Sequence, residues 1–191
     1  MNIEISIGEA LDRLSILEIK MTELSAEKKS YVQKEIDTLS GIMEYKTKFK
    51  YYYTLLFRVN KLIWDKTNII KALLVSDAFS CTAKEIFDLN QSRFRLKNVI
   101  NKLCSSNIQE QKSYGLTCVY VYIKTGSDID IGKLTYLSLN YDIVHIMCDR
   151  DAMRHIPLFN YEHSANEGES YTNINEITVS ENFLPIVHDI I

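Results

Sequence analysis

SIGEALDRLSILEIKMTEL, residues 6–24, has the pattern of a well-capped amphipathic helix. Ser6 and Glu9 form a capping box, in which the Ser6 hydroxyl accepts from the Glu9 N–H and the Glu9 carboxylate can accept from the Ser6 N–H. Apolar residues recur at steps of three and four, at Ile7, Ala10, Leu14, Leu17, Met21 and Leu24, and Ile16 and Ile19 widen this stripe. Because so broad an apolar face has to be covered by other helices, the stretch predicts a helical bundle.

Three further segments with helical periodicity follow this stretch, at residues 26–45, 51–74 and 82–104. The junction at Leu24 and Ser25 is short, which favours an antiparallel hairpin of the first two helices. Residues 75–81 have the composition of a turn, and residues 105–115 form a polar linker. The sequence therefore predicts an antiparallel bundle of about four helices over residues 1–114, with a domain boundary at its end.

The pattern changes after this boundary, in residues 115–191. Thr117–Ile123 and Asp142–Cys148 are apolar, β-rich runs that predict strands, and Ile129–Asn140 between them has helical spacing. A short helix is predicted at 150–156, a loop at 159–175, a third strand at Ile177–Val179, and a terminal helix or tail at 181–191. Strand–helix–strand alternation predicts a small Rossmann-like βαβ unit with parallel strands, so the expected fold class is α+β.

Composition excludes several classes of function. The net charge of −3 gives no general attraction to nucleic acid. No run approaches the roughly 20 apolar residues of a membrane span, and the N-terminus lacks the pattern of a signal peptide. The four cysteines show no C-x-x-C spacing, which favours reduced thiols and a cytoplasmic location. The histidines lack ligand spacing, so we expect no metal and no cofactor.

Four blocks in the first part of the chain resemble a small bacterial family of helical proteins of unassigned function. They are ISIGEALDRLSILEIK (5–20), VNKLIWDK (59–66), FDLNQSRFRLKNVIN (87–101) and QKSY (111–114). The chain departs from the family pattern at residues 66–68, where the family has acidic residues, and at Gln91 and Ser92. Members of that family accompany genes for cell-surface polysaccharide synthesis, so the resemblance implies a helical fold and a role in that setting.

A cluster of polar residues on the predicted helices is the first candidate site. Its members are Glu9, Asp12, Asn60, Trp64, Asp65, Asn90 and Arg93. One interpretation is a small anionic ligand held by Arg93, with the carboxylates as acid and base. The other, which we favour, is a buried hydrogen-bond network that fixes the register of the helices.

A turn in the second part is the other candidate site. Gly126 and Ser127 lie between a predicted strand and a predicted helix, where a phosphate can meet a helix N-terminus. Asp149 follows the second strand, at the position of an acidic residue that binds ribose in nucleotide folds. The segment also loosely resembles the first βαβ unit of two-Rossmann-domain glycosyltransferases. However, G-x-G-x-x-G is absent, and Asp128 would repel a phosphate.

These observations predict a non-catalytic accessory or scaffold protein for glycan assembly. We expect a homo-oligomer that contacts glycan-assembly enzymes and neither spans a membrane nor binds nucleic acid. The alternative is a sugar-nucleotide-binding protein or glycosyltransferase-related enzyme that uses Gly126 and Asp149. A third possibility is a small-molecule enzyme inside the bundle.

Overall fold

A computed structural model describes residues 4–108, 110, 115–124, 128–148, 160–163 and 170–188. The chain divides into two compact units, Met1–Gln111 and Lys112–Ile191. The first is helical and the second contains a small parallel sheet, so the structure mixes helix and sheet and belongs to the predicted α+β class.

The first unit contains five α-helices among its described residues. They are α1 (Ile7–Glu23), α2 (Ala26–Thr38), α3 (Met43–Lys48), α4 (Lys50–Ala72) and α5 (Asp77–Leu103). The helix α5 begins at Asp77, inside the predicted turn of residues 75–81, because Ser76 caps it by accepting from the Phe79 N–H.

The core of this unit lies where α1 packs against α4 and α5. Its fully buried side chains come from all three helices and include Leu11, Leu14, Leu17, Leu55, Leu56, Leu89, Leu96 and Ile100. Each such side chain contributes about 1.5–3 kcal/mol by leaving water. Ala10, Leu14, Leu17 and Ile19 of the predicted stripe lie in this core, together with Leu11, which the stripe did not include.

The segment predicted as the second helix is divided. The helix α2 ends at Thr38, a 3₁₀ turn spans Ser40–Ile42, and α3 is a separate short helix. Gly41 lies at the break, where glycine lowers the propensity for helix. Val32 is the only buried residue of α2, so most of its apolar stripe is left without a packing partner.

The two long helices α4 and α5 form a hairpin joined by residues 73–76. Lys66 of α4 contacts Glu85 of α5 at 2.8 Å, which ties the two helices together. The buried residues of α4 lie between Tyr53 and Asn60, and those of α5 lie between Leu89 and Asn101. No residue from 61 to 88 is buried. We call residues 61–88 the distal half of the hairpin.

Among its described residues the second unit has four strands, β1 (Cys118–Tyr122), β2 (Ile143–Met147), β3 (Tyr161–His163) and β4 (Thr172–Asn173). They form one parallel sheet in the order β3-β2-β1-β4. The helix α6 (Ile131–Asn140) lies between β1 and β2 in the chain, and α7 (Leu184–Val187) is near the C-terminus. One face of the sheet packs on α6 through Val121, Leu134, Leu137, Val144 and Ile146.

Two predictions for this unit are wrong. Ile177–Val179 is not a strand, and the predicted loop at 159–175 contains both β3 and β4. The segment predicted as a terminal helix or tail contains the four-residue α7, with Pro185 in its first turn. The predicted short helix at 150–156 lies outside the described residues.

Candidate functional site

The centre of the candidate site is the carboxylate of Asp12, on the buried face of α1. Asp12 is 1% exposed. Its Oδ1 accepts from Asn60 Nδ2 of α4 at 2.9 Å and from Arg93 Nε of α5 at 2.8 Å. Its Oδ2 accepts from Arg93 Nη2. Asp12 therefore joins the three helices of the core at one point.

Ser15 completes this network one turn further along α1. Its hydroxyl accepts from Asn60 Nδ2 at 2.7 Å and donates to the backbone oxygen of Asp12, also at 2.7 Å. Both N–H groups of the Asn60 amide are thus used, one on a carboxylate and one on a hydroxyl. Because a carboxylate only accepts, this also fixes which way the amide faces.

The charge of the buried carboxylate is matched by Arg93. Its hydrogen bonds to Asp12 raise the pKa of the Arg93 guanidinium, against the opposing effect of burial. A bidentate ion pair of this kind is among the strongest polar contacts in proteins. Removing one partner leaves the other as a buried charge without compensation. Both Asp12 oxygens already accept hydrogen bonds from the other two helices of the core. The geometry favours a structural role.

A second polar contact joins the start of α1 to α5. The Gly8 N–H donates to Asn101 Oδ1 at 2.8 Å, and Lys97 Nζ contacts Glu9 at 2.9 Å and Glu110 at 2.7 Å. Burial lowers the pKa of Lys97, but the hydrogen bonds to Glu110 and Glu9 outweigh it and raise that pKa overall. The first N–H groups of α1 thus find partners on its own Ser6 and on α5.

The other predicted residues fall in different surroundings. Asp65 lies on the surface and pairs with Lys61 at 2.6 Å along its own helix. The Asn90 side chain donates to the backbone oxygen of Ile86 on its own helix. Of the seven residues predicted for this site, Asp12, Asn60 and Arg93 share one network, and Glu9 lies one turn before Asp12. Whether any of them binds a substrate stays a prediction.

Ser15, Gly8 and Asn101 also belong to these contacts and were not predicted as site residues. The role of Gly8 could have been predicted, because a glycine inside a strongly helical pattern indicates a close approach of another backbone. Ser15 gave no comparable signal, because a helical serine usually bonds to its own backbone.

A half-open groove lies beside the Asp12 network, between α1, α4 and α5. Its volume is about 240 Å³. Three isoleucines and Trp64 supply apolar walls, while Asn60 and Arg93 supply polar ones; the full lining is Ile16, Ile19, Asn60, Ile63, Trp64, Thr67, Asn68, Lys71 and Arg93. Trp64 thus faces this groove rather than the centre of the core.

The candidate nucleotide residues of the second unit, Gly126, Ser127 and Asp149, lie outside the described residues, and their role stays a prediction. The N-terminus of α6 is described, and Asp130 caps it by accepting from the Lys133 N–H at 2.9 Å. A carboxylate therefore already occupies the place that a phosphate would take at that helix.

His145 lies on the sheet face opposite α6. Its ring stacks on Tyr120 with centroids 4.4 Å apart, and its Nδ1 lies 3.6 Å from Glu162. These three residues are neighbours across β1, β2 and β3. The packing of His145 against an aromatic ring fits a structural histidine.

The described residues contain neither a candidate metal site nor a helix that could span a membrane. They contain no cluster of three or more histidine, cysteine, aspartate or glutamate side chains that could hold a metal ion. No helix among them combines the length and apolar character needed to cross a membrane. None of the four cysteines forms a disulfide.

The model of a family of unknown function (DUF6165) matches residues 1–135. The chain belongs to this family, which confirms the predicted membership in a family of unassigned function. The match runs from α1 through β1 and ends within α6, so it is longer than the four helical blocks. No curated protein and no solved structure matches the chain.

Proposed function

We propose that this DUF6165 member is a non-catalytic, self-associating scaffold, built on an antiparallel helical bundle and acting in the cytoplasm in surface-polysaccharide assembly. The observation that carries the proposal is the distal half of the α4–α5 hairpin, in which no residue is buried. Two helices that pack mainly on each other leave their outer apolar side chains in water.

The distal half carries apolar side chains that the chain itself leaves exposed. Ile69 and Phe87 are 54% and 56% exposed, and Leu74 and Val75 at its tip are 86% and 90% exposed. Leu62, Ile70, Leu73, Phe79 and Ile86 are only partly covered. A clustered set of this kind marks an interaction surface more often than isolated exposed side chains do.

We propose that a second copy of the chain covers this apolar surface. Two hairpins packed about a two-fold axis give a four-helix arrangement, in which each copy offers the other the same apolar surface. Two opposite charges of the hairpin can form ion pairs between the copies, because Lys71 lies near the end of α4 and Asp77 lies at the start of α5. Neither has an ion-pair partner among the described residues.

The Asp12 network supports the non-catalytic part of the proposal. Its carboxylate, amide and hydroxyl donate to or accept from one another, which suits a fixed register better than turnover. Four cysteines without a disulfide are consistent with a reducing compartment.

Size-exclusion chromatography with light scattering tests self-association. We expect a dimer for the natural chain and a monomer for Phe87→Glu, because the introduced charge would be buried in the interface. Tyr31→Glu is the matched control, since Tyr31 is an equally exposed aromatic residue on α2. A monomeric natural chain at high concentration, or a dimeric Phe87→Glu variant, would contradict the proposal.

The link to surface polysaccharide rests on the family resemblance and has its own test. Deleting the gene in its host should reduce the amount or length of the surface polysaccharide. Restoring the natural gene should reverse the effect, and restoring the Phe87→Glu form should not. An unchanged polysaccharide in the deletion strain would remove this part of the proposal while leaving self-association in place.

A sugar-nucleotide-binding protein remains the second candidate, with the small sheet as its site. The observation in its favour is the all-parallel order β3-β2-β1-β4, which is the order that begins many nucleotide-binding sheets. This candidate predicts that a nucleotide sugar raises the melting temperature and that Gly126→Val or Asp149→Ala abolishes the rise. No rise with a panel of nucleotide sugars at millimolar concentration would exclude it.

A further inference from the structure

The groove beside the Asp12 network contains polar atoms that the network does not satisfy. Asn60 is 4% exposed and both of its N–H groups are used, yet no described residue donates to its Oδ1. Arg93 gives Nε and Nη2 to Asp12, and its Nη1 donates to no described residue. Both side chains line the groove. Neither atom is fully buried, so both are open to the groove, where water or a ligand can supply a partner.

Donors outnumber acceptors along the same groove. The Trp64 indole N–H has no acceptor among the described residues, and the Lys71 ammonium has no carboxylate within reach there. Arg93 and Lys71 are both cationic, while no acidic residue lines the groove. The polar part of a ligand would therefore have to be rich in acceptors, as a carboxylate or a phosphate ester is.

The apolar walls of the groove indicate the chemistry of the part of the ligand that is not charged. Ile16 and Ile19 of α1 face Ile63 and Trp64 of α4 across the groove, so the space between the polar groups is apolar. Its volume of about 240 Å³ exceeds what a single ordered water needs and is slightly below that of pockets for drug-sized molecules. An aromatic or branched aliphatic body of modest size fits these walls.

We propose that this groove binds a small organic anion with an apolar body, whose charged oxygens meet Lys71 and the free edge of Arg93. The hydrogen bonds to Asp12 would then hold the Arg93 and Asn60 side chains in position for the ligand. The groove shares Lys71 and other α4 residues with the distal half, but Ile69 and Phe87 do not line it, so Phe87→Glu tests self-association without changing the groove walls.

Trp64 makes the test direct, because it is the only tryptophan of the chain and lies in the groove. Its fluorescence, excited where tyrosine does not absorb, should change saturably when benzoate, phenylpyruvate or phenyl phosphate is added to the full-length protein. The carboxylates and the phosphate ester show which anionic group is preferred. Benzyl alcohol, which has the ring without the charge, should give a much weaker response.

Two variants assign the response to the groove. Lys71→Gln should weaken binding about tenfold through the loss of a charge-assisted contact, whereas Lys84→Gln, on an exposed lysine that pairs with Asp88, should not change it. Ile16→Phe should block the groove, and Ile69→Phe is its matched control outside the lining. No saturable response to any of the anions, an equal response to benzyl alcohol, or unchanged binding in both Lys71→Gln and Ile16→Phe would overturn the proposal.

Discussion

Gly8 is a residue at which the backbone of α1 comes close to that of α5. A Cβ atom at this position would lie 2.4 Å from the Lys97 backbone oxygen and 2.7 Å from Asn101 Oδ1. Gly8→Ala would therefore push α1 away from α5, and we expect it to lower the free energy of unfolding by about 1–3 kcal/mol. Denaturant titration measures this change. Gly41→Ala is the control, because a Cβ atom there meets nothing within 4 Å and the stability should not fall.

The Asp12–Arg93 pair gives a second prediction at this scale. Asp12→Leu leaves the Arg93 charge without its carboxylate and should cost about 3–5 kcal/mol in stability. The double variant Asp12→Leu with Arg93→Met removes both charges and should recover much of that loss, since apolar residues can replace a buried pair. Thermal and denaturant unfolding of the three proteins check this. A double variant no more stable than Asp12→Leu alone would show that the pair is needed for more than charge balance.

Asp12, Asn60 and Arg93 could be predicted from the sequence because each is a polar residue on a predicted helix, inside a block that resembles the family. The sequence could not separate them from Asp65 and Asn90, which have the same chemistry on the same helices. The difference is one of rotation and depth, since Asp65 faces solvent beside Lys61 and Asn90 bonds to its own helix. Which polar residues meet across a core depends on how the helices pack, and periodicity alone does not specify that.

At the scale of elements, periodicity predicted where helices occur better than where they end. Residues 26–45 were predicted as one helix, yet the α-helix is interrupted between Thr38 and Met43. The apolar stripe of this segment continues through Leu39 and Met43, but only Val32 is buried. A stripe without a packing partner contributes little stability, so a weak helix former such as Gly41 suffices to interrupt it.

The distal half of the hairpin should exchange its backbone hydrogens in a way that depends on protein concentration. In a dilute monomer, the amides of residues 61–88 should exchange faster than those of residues 89–101, because no buried side chain anchors them. At higher concentration a second copy would cover the distal half and slow its exchange. Mass-spectrometric hydrogen exchange at two concentrations measures this, with Phe87→Glu as the variant in which the concentration effect should disappear. Equal protection at both concentrations would argue against the hairpin as the interface.

At the scale of the whole molecule, the change from helix to strand after the linker was visible in the sequence, and the α+β class followed from it. The strands β1 and β2 were predicted because each is a continuous apolar run of five residues or more. The strands β3 and β4 have three and two residues, which is too short for any pattern to indicate. Their place in the sheet depends on pairing with β2 and β1, which are distant in the chain.

The helical unit should lose stability at alkaline pH, and Tyr53 is one identifiable cause. Its hydroxyl donates to Glu18 at 2.8 Å, and burial, together with this hydrogen bond and the Glu18 charge, raises the pKa of Tyr53 well above its usual value. Lys97, whose pKa is also raised, acts in the same direction. A group that holds its proton more tightly in the folded state stabilises the fold fully below the pKa of the unfolded chain, and this stabilisation is lost as the pH rises further.

We therefore expect the free energy of unfolding to fall above about pH 10, where tyrosine in the unfolded chain begins to ionise. The Tyr53 contribution to the slope is at most about 1.4 kcal/mol per pH unit. Denaturant titrations across the alkaline range measure the slope, and Tyr53→Phe should make it shallower by removing one titrating group. Tyr31→Phe is the control, because Tyr31 is exposed on α2 and should leave the slope unchanged. If both variants keep the slope of the natural chain, Tyr53 does not couple ionisation to folding, and the alkaline loss comes from other groups whose pKa is raised, such as Lys97, Tyr52 and Cys104.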